Sequence, residues 1–381
     1  MKKNFLFVMA AAAMLASCSK DAAVSEPAGN GNENGVVDPT NPDSPVKIQL
    51  GASAIVAGVE QDKKIASRAP IDAWADTEVG IYALAKDEEA TDWSMDVTND
   101  PTMLWENVKG TITGEASTDV DITLDLQGQP GYYPNQGKHQ YTFYGYHPYQ
   151  ETKATIQGTK ATATFTITGA EDILWGEAVA PQLPGIGDDS GNQYDGYNAS
   201  YFRKGEGAKT PSIGFKHKLT QLKFKAKAAN TETIDQQGLK IQSIEIKDVP
   251  TSLDLVIADK TTPLDNGKIS TNLAPNNANL KVGNLDEPFD LSTASNFTAV
   301  GDPIMLFSDG SETKTFTAIV TLVDANRKTS ANEITLTAPG GLAYAQGSAY
   351  TIELTINSLE EIKVQANLTE WAEGGTISGE I

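Results

Sequence analysis

The residue with the plainest chemistry is Cys18, the sole cysteine of the 381-residue chain. Leu15-Ala16-Ser17 stands immediately before it. That is the pattern a lipoprotein signal peptidase requires: a diacylglyceryl group is attached to the thiol, and the chain is then cut between Ser17 and Cys18. Lys2 and Lys3 precede an apolar run from Phe5 to Leu15 that is too short to span a bilayer. Residues 1–17 therefore read as a lipoprotein signal peptide, the alternative being an ordinary signal peptide with an incidental cysteine. A lone thiol forms no internal disulfide, and in an oxidising compartment it would otherwise be left unpaired.

The second place for chemistry is a bond to be cut. Lys63, Lys64 and Arg68 lie in Gln61-Asp62-Lys63-Lys64-Ile65-Ala66-Ser67-Arg68-Ala69-Pro70, a basic island in an acidic chain. A polar link of this kind offers a trypsin-like protease an accessible backbone; the plainer alternative is a solvated linker.

Catalytic chemistry has little support. His139, His147 and His217 are scattered, with no acid or cysteine at ligand spacing, so neither a zinc site nor a nucleophile–histidine triad is indicated. The 50 acidic residues make any carboxylate pair conceivable and none informative. Gly187-Asp188-Asp189-Ser190-Gly191-Asn192, with Asp195, offers oxygen ligands but lacks the order and closing glutamate of an EF-hand. There is no phosphate-binding glycine loop, so the expectation is no enzyme, no metal and no cofactor. Tyr132, Tyr133, Tyr141, Phe143, Tyr144, Tyr146 and Tyr149 could stack on sugar rings, but alternate residues of a strand face opposite ways, so at least one set is expected in the core.

The elements that position these residues are strands. Removing residues 1–17 takes the formal charge from −21 to −23, which favours solubility and argues against nucleic-acid binding. Residues 18–45 are Gly, Asn, Pro, Asp, Glu and Ser with hardly an apolar side chain, a flexible tether. Then Val46, Ile48, Leu50, Ala52, Ala54 and Val56 alternate with polar or small residues, a half-buried leading strand. Further period-two segments recur: Val79 to Ala85, Ile122 to Leu126, Tyr141 to Tyr146, Ala161 to Ile167, Leu222 to Ala228, Ile244 to Ile246, Leu253 to Ile257, Phe316 to Val323, Ile334 to Leu336, Tyr350 to Ile356 and Ile362 to Leu368. Short strands bounded by turn residues predict β-sandwiches. A loop-like stretch from Pro181 to Thr210 divides them into an N-terminal sandwich over residues 46–207 and a C-terminal one over 208–381, each of about seven strands.

The order of these parts resembles the fimbrillin family of Bacteroidales, the subunits of type V pili. The resemblance rests on Leu15-Ala16-Ser17-Cys18, the tether, the leading strand and Ser67-Arg68-Ala69-Pro70. Further along it rests on Tyr141-Thr142-Phe143-Tyr144-Gly145-Tyr146-His147-Pro148-Tyr149, Asp172-Ile173-Leu174-Trp175, Phe215-Lys216-His217-Lys218-Leu219 and Glu370-Trp371. Cys18-Ser19-Lys20-Asp21 is similar to the signal that sends Bacteroidales lipoproteins to the outer face of the outer membrane. The resemblance implies two transthyretin-like β-sandwiches and polymerisation by strand exchange. An arginine-specific, trypsin-like protease would cut between Arg68 and Ala69 and release the leading strand. Ile362, Val364, Ala366 and Leu368, with the tail to Ile381, would then fill the vacated groove of another subunit. The implied partners are other pilin subunits, the maturing protease and the outer membrane through the lipid on Cys18. A non-polymerising lipoprotein adhesin with a host or glycan receptor stands as the alternative.

Overall fold

The computed structural model describes residues 43–56, 74–95, 100–114, 119–181, 195–204, 208–235, 237–272, 276–292 and 296–369. The fold is nearly all β. Its strands are β1 (Gly51–Val56), β2 (Trp74–Ala85), β3 (Met103–Gly114), β4 (Val120–Asp125), β5 (Tyr141–His147), β6 (Thr155–Gln157), β7 (Lys160–Thr166), β8 (Leu174–Ala178), β9 (Ser212–His217) and β10 (Thr220–Ala228). They continue with β11 (Lys240–Pro250), β12 (Ser252–Asp259), β13 (Ile269–Thr271), β14 (Asn277–Lys281), β15 (Phe289–Asp290), β16 (Thr298–Leu306), β17 (Thr315–Val323), β18 (Thr329–Thr337), β19 (Ala349–Ser358) and β20 (Glu361–Thr369). A short helix, α1 (Ala199–Lys204), precedes β9.

Seven strands close into a ring in the order β1-β4-β3-β2-β5-β8-β9. Ring closure needs strong curvature, and small residues supply it. Gly145 on β5 pairs with Gly176 on β8, and a Cβ at Gly176 would lie 2.4 Å from the Gly214 carbonyl oxygen of β9. Only a residue without a side chain lets β8 and β9 approach so closely. The ring interior is filled by Trp74, Trp105, Phe143, Ile213 and Phe215, with Trp74 edge-on to Phe215 at 5.7 Å and Trp105 edge-on to Phe143 at 5.2 Å.

The remaining strands form three sheets, ordered β16-β10-β19-β20, β14-β11-β17-β18 with β15 beside β11, and β13-β12-β7-β6. Strand pairing crosses residue 208 in two places: β9 pairs with β1 and β8 in the ring, and β12 pairs with β7. Both faces of β5 are buried. Tyr141 and Phe143 point into the ring core, while Tyr144 and Tyr146 join a second, larger core with Phe165, Leu255, Ile352 and Leu354.

Strand β3 shows why alternation misses some strands. Its buried Met103, Leu104 and Trp105 are consecutive, and Asn107 stands at φ +53, so the chain changes face mid-strand. In β16, Gly301 at φ +63 marks a shift in register against β10.

Candidate functional site

The site is the slot that holds the leading segment. Val46, Ile48, Leu50 and Ala52 are all buried in the ring core, while Lys47 and Gln49 between them are exposed. Burial alternates from Val46 to Ala52, although regular strand geometry begins only at Gly51 and the upstream part pairs through the Lys47–Tyr132 bridge. Backbone hydrogen bonds fix both edges. The Ile48 amide donates to the Gly131 carbonyl at 2.9 Å, the Tyr133 amide to Val46 at 3.0 Å, the Ile122 amide to Leu50 at 2.9 Å and the Gly51 amide to Pro211 at 2.9 Å. β1 itself runs antiparallel to β4, with Ala52 opposite Val120, and parallel to β9, with Ala52 opposite Ile213. Ser53 Oγ adds a bond to the Ile213 carbonyl at 3.3 Å.

The segment is thus an interior strand. Its loss would orphan the amides of Ile122 and Tyr133 and the carbonyls of Gly131 and Pro211, and would strip one wall from the ring core. Burial of each branched side chain contributes roughly 1.5–3 kcal/mol, so three such residues make spontaneous departure rare while the chain is intact.

Helix α1 lies at the N-terminal end of this segment. Its Phe202 stacks on Tyr133 at 5.4 Å and its Tyr201 meets Tyr197 edge-on at 5.4 Å. Arg203 reaches from it to the Ser44 carbonyl, a contact between residues 159 apart that no local pattern in the sequence announces. Burial draws the Arg203 guanidinium below its ordinary value, with the Asp43 carboxylate pulling the other way.

The C-terminal strand β20 is an edge strand. It is paired along its length with β19, Tyr350 opposite Leu368 and Leu354 opposite Val364. Ile362, Val364 and Ala366 pack half-buried against the larger core, while Leu368 is 44 % exposed. Slot and β20 lie in different sheets, so the structure does not bring these two sets of residues together within one chain.

Several expected residues lie outside the described residues: Ser17, Cys18, Arg68, Ala69, the segment 187–192 and Glu370-Trp371, and for Ala54 and Val56 only the backbone is described. The tyrosine cluster does not form a stacking platform. Tyr133, Tyr141, Phe143, Tyr144 and Tyr146 are buried, and burial pushes the hydroxyl of Tyr146 up to about 12; Tyr132 alone of the set is more than half exposed, at 51 %. The histidines are held by local partners. His139 Nδ1 lies 3.0 Å from Asp87 Oδ1, His217 Nδ1 lies 2.6 Å from Asp172 Oδ2, and His147 Nδ1 donates to the Glu78 carbonyl at 2.8 Å. Among the described residues, no three His, Cys, Asp or Glu side chains gather as metal ligands.

A closed ring completed by a strand from upstream of β2, joined to facing sheets, defines an all-β protein whose architecture depends on that one segment. Its family follows from the sequence: the model of the fimbrillin-like family matches residues 67–371, and the chain belongs to that family. No curated protein matches it. Among solved structures it is similar to a candidate cell adhesion protein of Bacteroides ovatus, at 16 % identity and a TM-score of 0.50, covering 87 % of this chain and 100 % of that one. A fimbrial protein of Bacteroides vulgatus aligns at 16 % identity and a TM-score of 0.47, over 86 % of this chain and 99 % of that one. The fimbrial anchor protein Mfa2 of Porphyromonas gingivalis aligns at 7 % identity and a TM-score of 0.33, over 84 % and 98 %.

Proposed function

We propose that the chain is a pilus subunit of the cell surface, exported as a lipoprotein through Cys18 and matured by an arginine-specific protease between Arg68 and Ala69. It then polymerises by strand exchange. The observation that carries this reading is the placement of residues 46–52 as an interior strand upstream of the proposed cut. Cleavage turns a covalently tethered strand into a bimolecular ligand of its own slot, so a competing strand can displace it. The arriving strand supplies both the apolar side chains and the backbone partners that the slot lacks.

β20 has the chemistry for this. Ile362, Val364, Ala366 and Leu368 repeat the one-faced alternation of Val46, Ile48, Leu50 and Ala52 in similar sizes, and as an edge strand it has one partner to leave. The proposed role is structural and adhesive rather than catalytic, with other subunits as partners and a fimbrium anchored at the outer membrane as its place.

The arginines favour the same bond. The chain has three: Arg68, Arg203 and Arg327. Arg203 is in helix α1 with its guanidinium engaged, and Arg327 stands at φ +64 in the β17–β18 turn, where Asp324 Oδ1 accepts the amides of Asn326 and Lys328 at 2.8 Å each. Neither presents the extended backbone that a protease pairs with. Limited digestion of the folded precursor by an arginine-specific protease tests the reading: first cleavage after Arg68, followed by ladders of oligomers on gels, is expected. First cleavage after Arg203 or Arg327, or cut chains that stay monomeric, would overturn it.

A further inference from the structure

The leading segment is held by more than the sheet. At its N-terminal end, Arg203 Nε donates to the Ser44 carbonyl at 3.1 Å, and Nη2 donates to the same oxygen. The other side of the guanidinium reaches the β4–β5 connection, with Nη1 donating to the Asn135 carbonyl at 2.8 Å and Nη2 to Asn135 Oδ1. The Asp43 carboxylate adds opposite charge. Helix α1 cannot easily swing away, because Phe202 stacks on Tyr133 and Tyr197. One planar side chain therefore staples the start of the segment to two other parts of the ring.

We propose that Arg203 is a latch, a positioning residue that keeps the leading segment seated after the chain is cut at Arg68 and so sets how fast the slot opens. The inference rests on the strand-exchange reading above. A cut after Arg68 frees the downstream end of the segment, and unzipping starts there, from β1. The upstream end stays fastened until the guanidinium lets go of Ser44. A latch of this kind delays opening until a competitor has begun to pair with the exposed edges of β4 and β9, which protects an apolar slot from water and from misassembly. Arginine suits the task because its fork of donors engages one carbonyl twice and a second residue at once, whereas a lysine offers a single point of attachment.

The test compares the wild-type precursor with Arg203→Ala, Arg203→Lys and Asn135→Ala. In uncut protein, amide hydrogen exchange over residues 43–50 should quicken about tenfold or more in Arg203→Ala, as loss of a hydrogen bond to a charged group gives, less in Arg203→Lys and Asn135→Ala. Exchange in β19 should not change. After digestion, the fragment ending at Arg68 should separate from the body of the protein sooner in Arg203→Ala, in the same rank order. Equal exchange over 43–50 and equal fragment retention in wild type and Arg203→Ala would overturn the latch, as would an acceleration spread evenly over β19. If wild-type protein is not cut at Arg68, or polymerises while keeping its fragment, the strand-exchange reading fails, and the exchange rates of uncut protein still decide whether Arg203 fastens the segment.

Discussion

The Leu50 carbonyl accepts the Ile122 amide at 2.9 Å, and that single bond makes the leading segment part of the ring wall rather than a strap across it. With Gly51 donating to Pro211 on the opposite side, the segment is sandwiched between two neighbours, and its side chains alternate between core and solvent.

The first prediction follows from that alternation. Leu50→Ala and Ile48→Ala remove buried side chains from a packed core and should each lower stability by about 2–5 kcal/mol. Lys47→Ala, on the exposed face, should stay within about 0.5 kcal/mol. Denaturant unfolding of the uncut precursor measures both; equal effects at positions 47 and 48 would contradict the placement.

Gly176 provides the second. A methyl group there would meet the Gly214 carbonyl oxygen at 2.4 Å, and backbone cannot step aside as a flexible side chain can. Gly176→Ala should cost about 1–3 kcal/mol or more, and it should loosen β9, the parallel neighbour of β1. Hydrogen exchange of β9 amides reads this directly, and an unchanged rate would count against ring closure through β8 and β9.

Lys218 gives a pH dependence. It lies between β9 and β10, with Nζ 5.9 Å from the Trp175 ring centre, and burial, aided by the charge of Lys216, draws its ammonium from about 10.5 down to about 8. The unfolded chain therefore holds this proton more tightly than the folded one. Below about pH 8 the fold bears the whole cost of the buried charge, and between about pH 8 and 10.5 that cost is relieved, so this residue makes stability rise with pH in that window. Lys218→Met, which keeps the packing without the charge, should raise stability at pH 7 by on the order of 1–3 kcal/mol and abolish the difference in this contribution between pH 7 and pH 10. Unfolding curves of both proteins at the two pH values test it; parallel curves would refute it.

Much of the fold is legible where one face of a strand is buried. Residues 46–52, β10 and β17 alternate cleanly, as do the stretches Ile352 to Ile356 of β19 and Glu361 to Ala366 of β20, and each is where the period-two pattern puts it. β3 and β8 are not legible in this way because their neighbouring residues are buried on both faces, as Leu104 and Trp105 or Leu174 and Trp175 are, so no alternation survives. The tyrosines of β5 illustrate the same physics from the other side: a sheet shared between two cores buries Tyr141 and Tyr144 alike, and a string of aromatics that could be a sugar platform is interior packing. The slot's apolar residues can be read from the sequence, but its walls cannot. β4, β9 and Arg203 are brought to the leading segment by ring closure, through pairings such as Ala52 with Ile213 that carry no local signal.

The most direct test places cysteines across the proposed junction between copies. One chain carries Val120→Cys, at the edge of β4 that faces Ala52, and a second carries a single cysteine at 362, 364, 366 or 368, or at 363 or 365 as controls, with Cys18 replaced in both. After digestion at Arg68 and mild oxidation, the account predicts intermolecular disulfides from one or more of the even-numbered positions, none from 363 or 365, and none before digestion. Departure of the fragment without any disulfide from positions 362, 364, 366 and 368, or disulfides formed equally by uncut protein, would contradict it.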